Sequence, residues 1–166
     1  AIMLLIELAN TSYDYELIKN SDVMKEYEFF VPAGDEKYLE YRVTVFFDHE
    51  KDFEDYDSLE IMFRTKTVAT RKDVLNLSAA TDKVTGTGKE KTFKILSTVI
   101  DIIKKEIKSN PKIKFIQFGA KSHEESRVKL YNHFVDNVGR YLPGWKLAKV
   151  NRKNTSFNYY LEKTWD

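Results

Sequence analysis

The amino-acid sequence predicts one α+β domain over residues 1–166, built from about seven strands and two main helices. Two features of the hydrophobic pattern support this prediction. In the N-terminal half, short segments carry a hydrophobic residue at every second position, which is the period of a strand. From Lys89 onward the period becomes that of a helix, and helical and strand-like segments then alternate. The length suits one domain with a sizeable core.

The N-terminal half is expected to form an antiparallel meander. Alternation is clearest between Tyr38 and Asp48, where the odd-numbered residues from Leu39 to Phe47 are all apolar or aromatic. The segment 10–20 mixes turn-forming and hydrophobic residues, and we expect it to hold a helical turn. The strands of this half are predicted at residues 3–8, 26–31, 38–48 and 59–66.

A polar stretch from Thr67 to Thr85 separates the last of these strands from the long helix. Its apolar cluster is limited to Val74, Leu75 and Leu77. Long loops in compact domains are usually functional or mobile. We therefore expect a surface insertion that is either mobile or ordered by a partner.

The C-terminal half is expected to supply both helices and three strands. Apolar residues recur at helical spacing from Phe93 to Ile107. We expect the helix to end before Pro111, because proline cannot continue a helix. Ser122 is a suitable N-cap for the second helix, since its hydroxyl can accept a hydrogen bond from a free helical N–H. The long helix is predicted at 89–108, and the strands at 113–120, 145–150 and 157–163.

Composition excludes several classes of function. The net charge of +1 gives no large electrostatic footprint for nucleic acid, and no apolar segment is long enough to span a membrane. The absence of cysteine excludes disulfides, thiolate zinc sites and cysteine nucleophiles, and it fits a reducing cytoplasm. His49, His123 and His133 lack metal-ligand spacing. We expect a cytoplasmic protein without metal, nucleic-acid or membrane partners.

A glycine turn formed by Gly86, Thr87 and Gly88 precedes the long helix. The first N–H groups of a helix are unpaired and lie at the positive end of the helix dipole, so such a turn can hold a phosphate. Two glycines can equally terminate a loop where a helix begins. The pattern alone leaves both interpretations open.

The order of strands, Gly-x-Gly, long helix, strand, helix and two strands resembles the GNAT family of N-acetyltransferases. In that family the pyrophosphate of acyl-CoA binds a Gln/Arg-x-x-Gly-x-Gly/Ala turn, and Lys83, Gly86 and Gly88 are similar to it, with lysine in the first position. The later helix of the family carries a Leu-Tyr pair, which Leu130 and Tyr131 match. The resemblance implies a GNAT-like mixed sheet, acetyl-CoA as a substrate, and a small-molecule or protein amine as the acceptor.

The resemblance also implies binding residues. The amide of Thr87 would join those of the flanking glycines at the pyrophosphate, and Ile116, Phe118 and Gly119 would line the slot for the pantetheine arm. Arg127 is suited to a phosphate if it faces the cleft, and otherwise it pairs locally with its helical neighbours.

Two residues are candidates for proton transfer. Tyr131 matches the family residue that protonates the departing CoA thiolate, yet its place on an apolar helical stripe fits core packing as well. Glu60, on the strand before the insertion, is the best-placed carboxylate to take a proton from the attacking amine. A glutamate on a strand is often simply solvated, so this role also stays open.

Departures from the family pattern support a second functional hypothesis. The insertion at 67–85 lengthens the connection to the glycine turn, and the Gly-Phe pair that usually follows Leu-Tyr is absent. Several short segments are also similar to divergent GNAT-like proteins of bacteriophages. The competing hypothesis is therefore a catalytically inactive, phage-encoded GNAT-shaped protein that binds a host or virion protein.

Overall fold

A mixed β-sheet forms the frame of the chain. The computed structural model describes residues 12–32, 37–49, 57–69, 73–75, 89–122, 124–153 and 155–164. The strands are β1 Tyr15–Asn20, β2 Met24–Pro32, β3 Lys37–His49, β4 Asp57–Ala69, β5 Asp73–Leu75, β6 Ile113–Lys121, β7 Trp145–Lys153 and β8 Ser156–Lys163. The helices are α1 Lys89–Ser109, α2 Glu125–Asp136 and α3 Val138–Tyr141.

The strand order confirms the predicted fold class. Seven strands run in the order β1-β2-β3-β4-β6-β8-β7, and the short β5 pairs with β4 outside this path. Strands β4 and β6 are parallel, and all other strand pairs within the described ranges are antiparallel. The fold is therefore an α+β arrangement with a mixed sheet and two long helices, as expected. The predicted strand at 3–8 lies outside the described residues.

Both long helices pack on one side of the sheet. Residues directly opposite each other on paired strands share a face, and Tyr27, Val43 and Phe63 form such a row. The Tyr27 hydroxyl donates to Glu106 of α1, and the Arg127 guanidinium of α2 lies over the Phe63 ring. We call this side the helix face and the opposite side the outer face.

Helix α1 begins and ends close to its predicted bounds because its apolar stripe meets the sheet. Leu96, Ile100 and Ile103 are buried at intervals of three or four residues. At its C-terminal end the Asn110 N–H donates to the Glu106 carbonyl. The Asn110 side chain also donates to Asp57 Oδ2 at 2.8 Å, which ties the end of α1 to the start of β4.

A buried carboxylate links α1 to the sheet. Glu106 is 1% exposed, accepts a hydrogen bond from the Tyr27 hydroxyl and forms an ion pair of 3.1 Å with Lys25. A buried charge is costly unless it is paired and hydrogen-bonded. Glu106 meets both requirements, so it fixes how α1 sits over β2.

The prediction of a helical turn within 10–20 is wrong, because Tyr15–Asn20 is strand β1. Exposed and buried side chains do not alternate along β1, and its pairing with β2 changes register between Leu17 and Lys19. Cross-strand aromatic contacts stabilise this edge strand instead: the Tyr15 ring lies 5.7 Å from that of Tyr27. Such long-range partners are invisible in a local sequence window.

The stretch 67–85 is partly strand, so the prediction of one polar insertion is only partly right. Strand β4 continues to Ala69, and β5 folds back on it with Val68 opposite Val74. The paired segments include Thr67, Val68 and Val74, whose β-branched side chains suit strands. Apolar and polar residues do not alternate clearly there, so no strand signal is visible in the sequence. The remainder of that stretch lies outside the described residues.

The predicted N-cap of the second helix is also wrong. Helix α2 begins at Glu125 with Glu124 as its N-cap, and the Ser122 N–H donates instead to the Thr155 carbonyl. The Glu124 carboxylate accepts a hydrogen bond from the Lys121 N–H at 3.0 Å. These hydrogen bonds complete the turn after β6, and α2 begins only beyond that turn.

Candidate functional site

Strands β4 and β6 separate part of the way along their length. Their parallel pairing runs from Asp57 opposite Ile113 to Ile61 opposite Phe118. Both strands then continue, β4 to Ala69 and β6 to Lys121, without pairing with each other. The result is an opening at the carboxyl ends of two parallel strands, which is where ligands bind in many sheets with parallel strands. We call it the gap.

The gap is bounded at its far end. Strand β3 covers one edge of β4 along its full length, so β5, which pairs with residues 67–69 of β4, lies on the same edge as β6. On the edges that face the gap, residues 62–66 of β4 and 119–121 of β6 therefore have no strand partner in the described sheet, although β3 and β8 pair with their other edges. The backbone groups that point into the gap need polar partners from water or a ligand.

Aromatic rings pack on the helix face at the closed end of the gap. The Phe118 ring lies 4.9 Å from Tyr131 and 5.2 Å from Tyr159, measured between ring centres. Phe118 and Ile116 are both buried, and Gly119 comes directly after the last parallel pair. This cluster holds Tyr131 over the point where β4 and β6 separate.

An ion pair lies one helical turn further along the gap. Arg127 is 8% exposed, its guanidinium carbon is 5.1 Å from the centre of the Phe63 ring, and its Nη1 is 2.8 Å from Glu124 Oε2. Because Glu124 also accepts from the Lys121 N–H, this chain of contacts connects β4 to β6 on the helix face. Within the described residues, Arg127 Nε has no hydrogen-bond partner.

Tyr131 holds its proton strongly. Burial raises the pKa of Tyr131 to about 12; Arg127 acts in the opposite direction, and Glu124 and Tyr159 reinforce the rise. Its hydroxyl makes no hydrogen bond to another described residue. Tyr131 is therefore neutral at physiological pH and presents an O–H that is free to donate.

We expect the protein to lose stability in alkali because burial raises the pKa of several tyrosines. The folded-state pKa of Tyr131 exceeds the ordinary value of about 10, so its stabilisation is complete below pH 10 and is lost as the pH rises through 12. The loss is about 1.4 kcal/mol per pH unit, or about 3 kcal/mol in all. The same direction of pKa shift applies to Tyr13, Tyr15, Tyr27, Tyr141 and Tyr159.

Urea unfolding at a series of pH values from 8 to 11.5 measures this loss. The Tyr131→Phe protein is the matched control, because it keeps the ring and has no proton to release. Its free energy of unfolding should fall less steeply above pH 10 than that of the wild type. Equal slopes for the two proteins would contradict the assignment of a raised pKa to Tyr131.

Glu60 lies across the sheet from Tyr131. It pairs with Gln117 one position before the last parallel pair, and it is exposed on the outer face. Tyr131 contacts Phe118, the last paired residue of β6, from the helix face. A carboxylate and a phenol therefore flank the closed end of the gap from opposite sides.

The fold brings together all six of the predicted site residues that the structure describes. Those at the gap are Glu60, Ile116, Phe118, Gly119, Arg127 and Tyr131. The predicted phosphate-binding residues Lys83, Gly86, Thr87 and Gly88 lie outside the described residues.

Two site residues were missed from the sequence. Glu124 has a recognisable signal, because it precedes Arg127 by three residues on a predicted helix. Phe63 has none, since only the folded sheet places its ring under Arg127.

His133 forms a hydrogen bond of 3.0 Å with the Tyr141 hydroxyl. Within the described residues there is no cluster of three side chains able to hold a metal ion.

Comparisons with known proteins identify no family by sequence. No family model matches the chain, and no curated protein matches it. Among solved structures, it is similar to an acetyltransferase of the GNAT family from Streptococcus pneumoniae. The two share 9% sequence identity with a TM-score of 0.38, and the match covers 88% of this chain and 70% of that one. The fold class given above rests on the strand order and register.

No described helix combines the length and the apolar character that are needed to cross a membrane.

Proposed function

We propose that the protein is an acyl-CoA-dependent N-acyltransferase that uses acetyl-CoA and a primary amine. The observation that carries this proposal is the gap between β4 and β6, with Glu60 on one side of its closed end and Tyr131 on the other. A thioester placed there could be approached from the outer face and release its thiol toward the helix face. Since one fold hosts many functions, the proposal rests on this site rather than on the fold.

The gap suits the pantetheine arm of an acyl-CoA. That arm is narrow and carries two amide groups, which can bond to backbone groups of residues 62–66 and 119–121 as an added strand would. The phosphates would bind the predicted turn from Gly86 to Gly88, with Lys83 nearby. That half of the binding site is inferred from the sequence.

The reaction is a direct transfer of the acyl group. The amine nitrogen attacks the thioester carbonyl, a C–N bond forms, and the C–S bond breaks. Glu60, directly or through water, takes the proton that the amine nitrogen loses, and Tyr131 donates a hydrogen bond to the leaving sulfur. The products are an N-acylated amine and free CoA: the released sulfur gains its proton from solvent and Glu60 returns an equal proton to solvent, so atoms and charges balance.

The raised pKa of Tyr131 defines how it can help. A thiol ordinarily has a pKa of about 8.5, well below the value of about 12 for Tyr131. Full proton transfer to a solvated thiolate would therefore be uphill. Tyr131 is suited to donating a hydrogen bond to the charge that develops on sulfur inside the gap, where burial also makes that sulfur more basic.

Hydrogen exchange tests ligand binding in the gap without a mutation. Acetyl-CoA is expected to slow exchange of those amides within 62–66 and 119–121 that point into the gap, while amides of 115–118, a segment paired on both sides, should change little. Calorimetry on the same sample should detect binding, and Gly88→Glu should abolish it by placing bulk and negative charge at the pyrophosphate. Absence of both binding heat and protection in the wild type would refute the proposal.

A second candidate function has one observation in its favour. On the helix face, Phe63, Arg127 and Glu124 already fill the space beside the gap, and Tyr131 is 7% exposed. A protein that binds a phage or host partner and has lost catalysis needs no open space there, so it would tolerate these side chains beside the gap. Folded protein that neither binds acetyl-CoA nor acetylates any of a broad panel of amines would favour this candidate.

A further inference from the structure

We propose that the outer face beside the gap holds a subsite for a small amine that carries several hydroxyl groups, as an amino sugar does, with Asn158 as a binding residue. This inference rests on the proposed function, since it names the class of acceptor for that reaction. It concerns the strands β6 and β8 and the side of the sheet away from both long helices.

Asn158 has an unusual position on the sheet. It pairs with Gly119, the first residue of β6 beyond the last parallel pair with β4. Its Oδ1 lies 2.6 Å from the point that a Cβ atom on Gly119 would occupy. Only glycine at this position lets the carboxamide lie against the β6 backbone beside the closed end of the gap.

The carboxamide is available to a ligand. Its Nδ2 makes one long hydrogen bond of 3.5 Å to Ser156 Oγ, and within the described chain no donor bonds its Oδ1. The neighbouring Gln117 and Tyr160, which form a row with Glu60 on the same face, likewise make no side-chain hydrogen bond to another described residue. Two carboxamides and a phenol, each able to donate and accept, thus lie on the same face of the sheet as Glu60, across strands β6 and β8.

This set of groups matches hydroxyl-bearing ligands. A hydroxyl both donates and accepts, as the carboxamides and the phenol do, and Glu60 can receive the ammonium or its proton. The surrounding charge disfavours a polycation: Lys149 lies 4.8 Å from the centre of the Tyr160 ring, and Lys121 is exposed at the end of β6. A polyamine or a lysine-rich peptide would meet these cations, while of the carboxylates on this part of the face Glu162 already pairs with Lys146 at 3.2 Å.

Titration with D-glucosamine, followed by the side-chain amide signals of ¹⁵N-labelled protein, tests the proposal. The Asn158 signal is identified by its loss in Asn158→Asp. We expect that signal to shift saturably at millimolar glucosamine, and we expect spermidine at the same concentrations to leave it unchanged. No saturable shift with glucosamine, or a stronger response to spermidine, would overturn the inference.

Variants separate binding by Asn158 from a general effect on the sheet. Asn158→Ala, and Gly119→Ala, which displaces the carboxamide, should each weaken glucosamine binding about five-fold, the effect of one lost hydrogen bond. Backbone signals of the remaining residues report glucosamine binding in these variants, and their dispersion reports folding. Asn151→Ala, on the next strand directly opposite Asn158, is the matched control and should bind as the wild type does. Equal binding by all three folded variants would count against Asn158.

Acetyl-CoA calorimetry on the same samples keeps this inference distinct from the proposed function. Acetyl-CoA binding without a glucosamine shift overturns only the acceptor subsite. A glucosamine shift that Asn158→Ala weakens, without any acetyl-CoA binding, supports the subsite and refutes the acyltransferase.

Discussion

Replacing Tyr131 with phenylalanine is expected to lower the turnover number for N-acetyl transfer by about 100-fold, the usual effect of removing a positioned proton donor. The ring contacts with Phe118 and Tyr159 are kept, so acetyl-CoA affinity should stay within about two-fold of the wild type. Steady-state kinetics and calorimetry on the same preparation measure the two quantities separately.

The stability of the Tyr131→Phe protein distinguishes catalysis from packing. Because the Tyr131 hydroxyl has no hydrogen-bond partner among the described residues, its removal at pH 7 should change the free energy of unfolding by less than about 1 kcal/mol. Tyr141→Phe is the control: it loses a hydrogen bond to His133 away from the gap, and it should keep full activity. Unchanged turnover in Tyr131→Phe would remove this residue from the mechanism.

The second large effect is expected on stability. Glu106→Ala should lower the free energy of unfolding by about 3 kcal/mol, because it leaves the buried Tyr27 hydroxyl and the half-buried Lys25 without their partner. Glu106→Gln keeps an acceptor for Tyr27 and should cost about 1 kcal/mol. Urea unfolding at pH 7 measures both values.

A surface substitution on the same helix provides the control for Glu106. Lys108→Ala changes an exposed residue in the last turn of α1 and should alter the free energy of unfolding by less than about 0.5 kcal/mol. If Glu106→Ala were as stable as Lys108→Ala, the buried ion pair of Glu106 would not fix α1 on the sheet.

The sequence predicted those elements whose hydrophobic period is strong and local. The stripe from Phe93 to Ile107 located α1, and the alternation from Leu39 to Phe47 located β3 and its buried side. The prediction for residues 15–20 failed because Tyr15 of β1 pairs with Phe29 and packs against the Tyr27 ring, both on another strand. Local patterns carry no information about such partners.

The candidate site could likewise be predicted only in part from local sequence patterns. The Leu-Tyr motif predicted Tyr131 as a site residue, and the structure places its ring 4.9 Å from that of Phe118, beside the gap. The gap itself could not be predicted, because it depends on where the pairing of β4 and β6 stops. The position of Asn158 was equally hidden, since its significance comes from Gly119 on a neighbouring strand.

The parallel contact between β4 and β6 also divides the molecule for folding. Strands β1 to β4 pair with sequence neighbours, as do β7 and β8, whereas the backbone pairing that joins the two groups on the main sheet spans only Asp57–Ile61 and Ile113–Phe118. Contacts between residues so distant in sequence form slowly, because the long loop between them must first be closed. We therefore expect this junction to be the boundary between two cooperative units of the sheet. A ligand that bonds to both edges of the gap would hold the two units together, so its binding would slow their separation as well as raise the melting temperature.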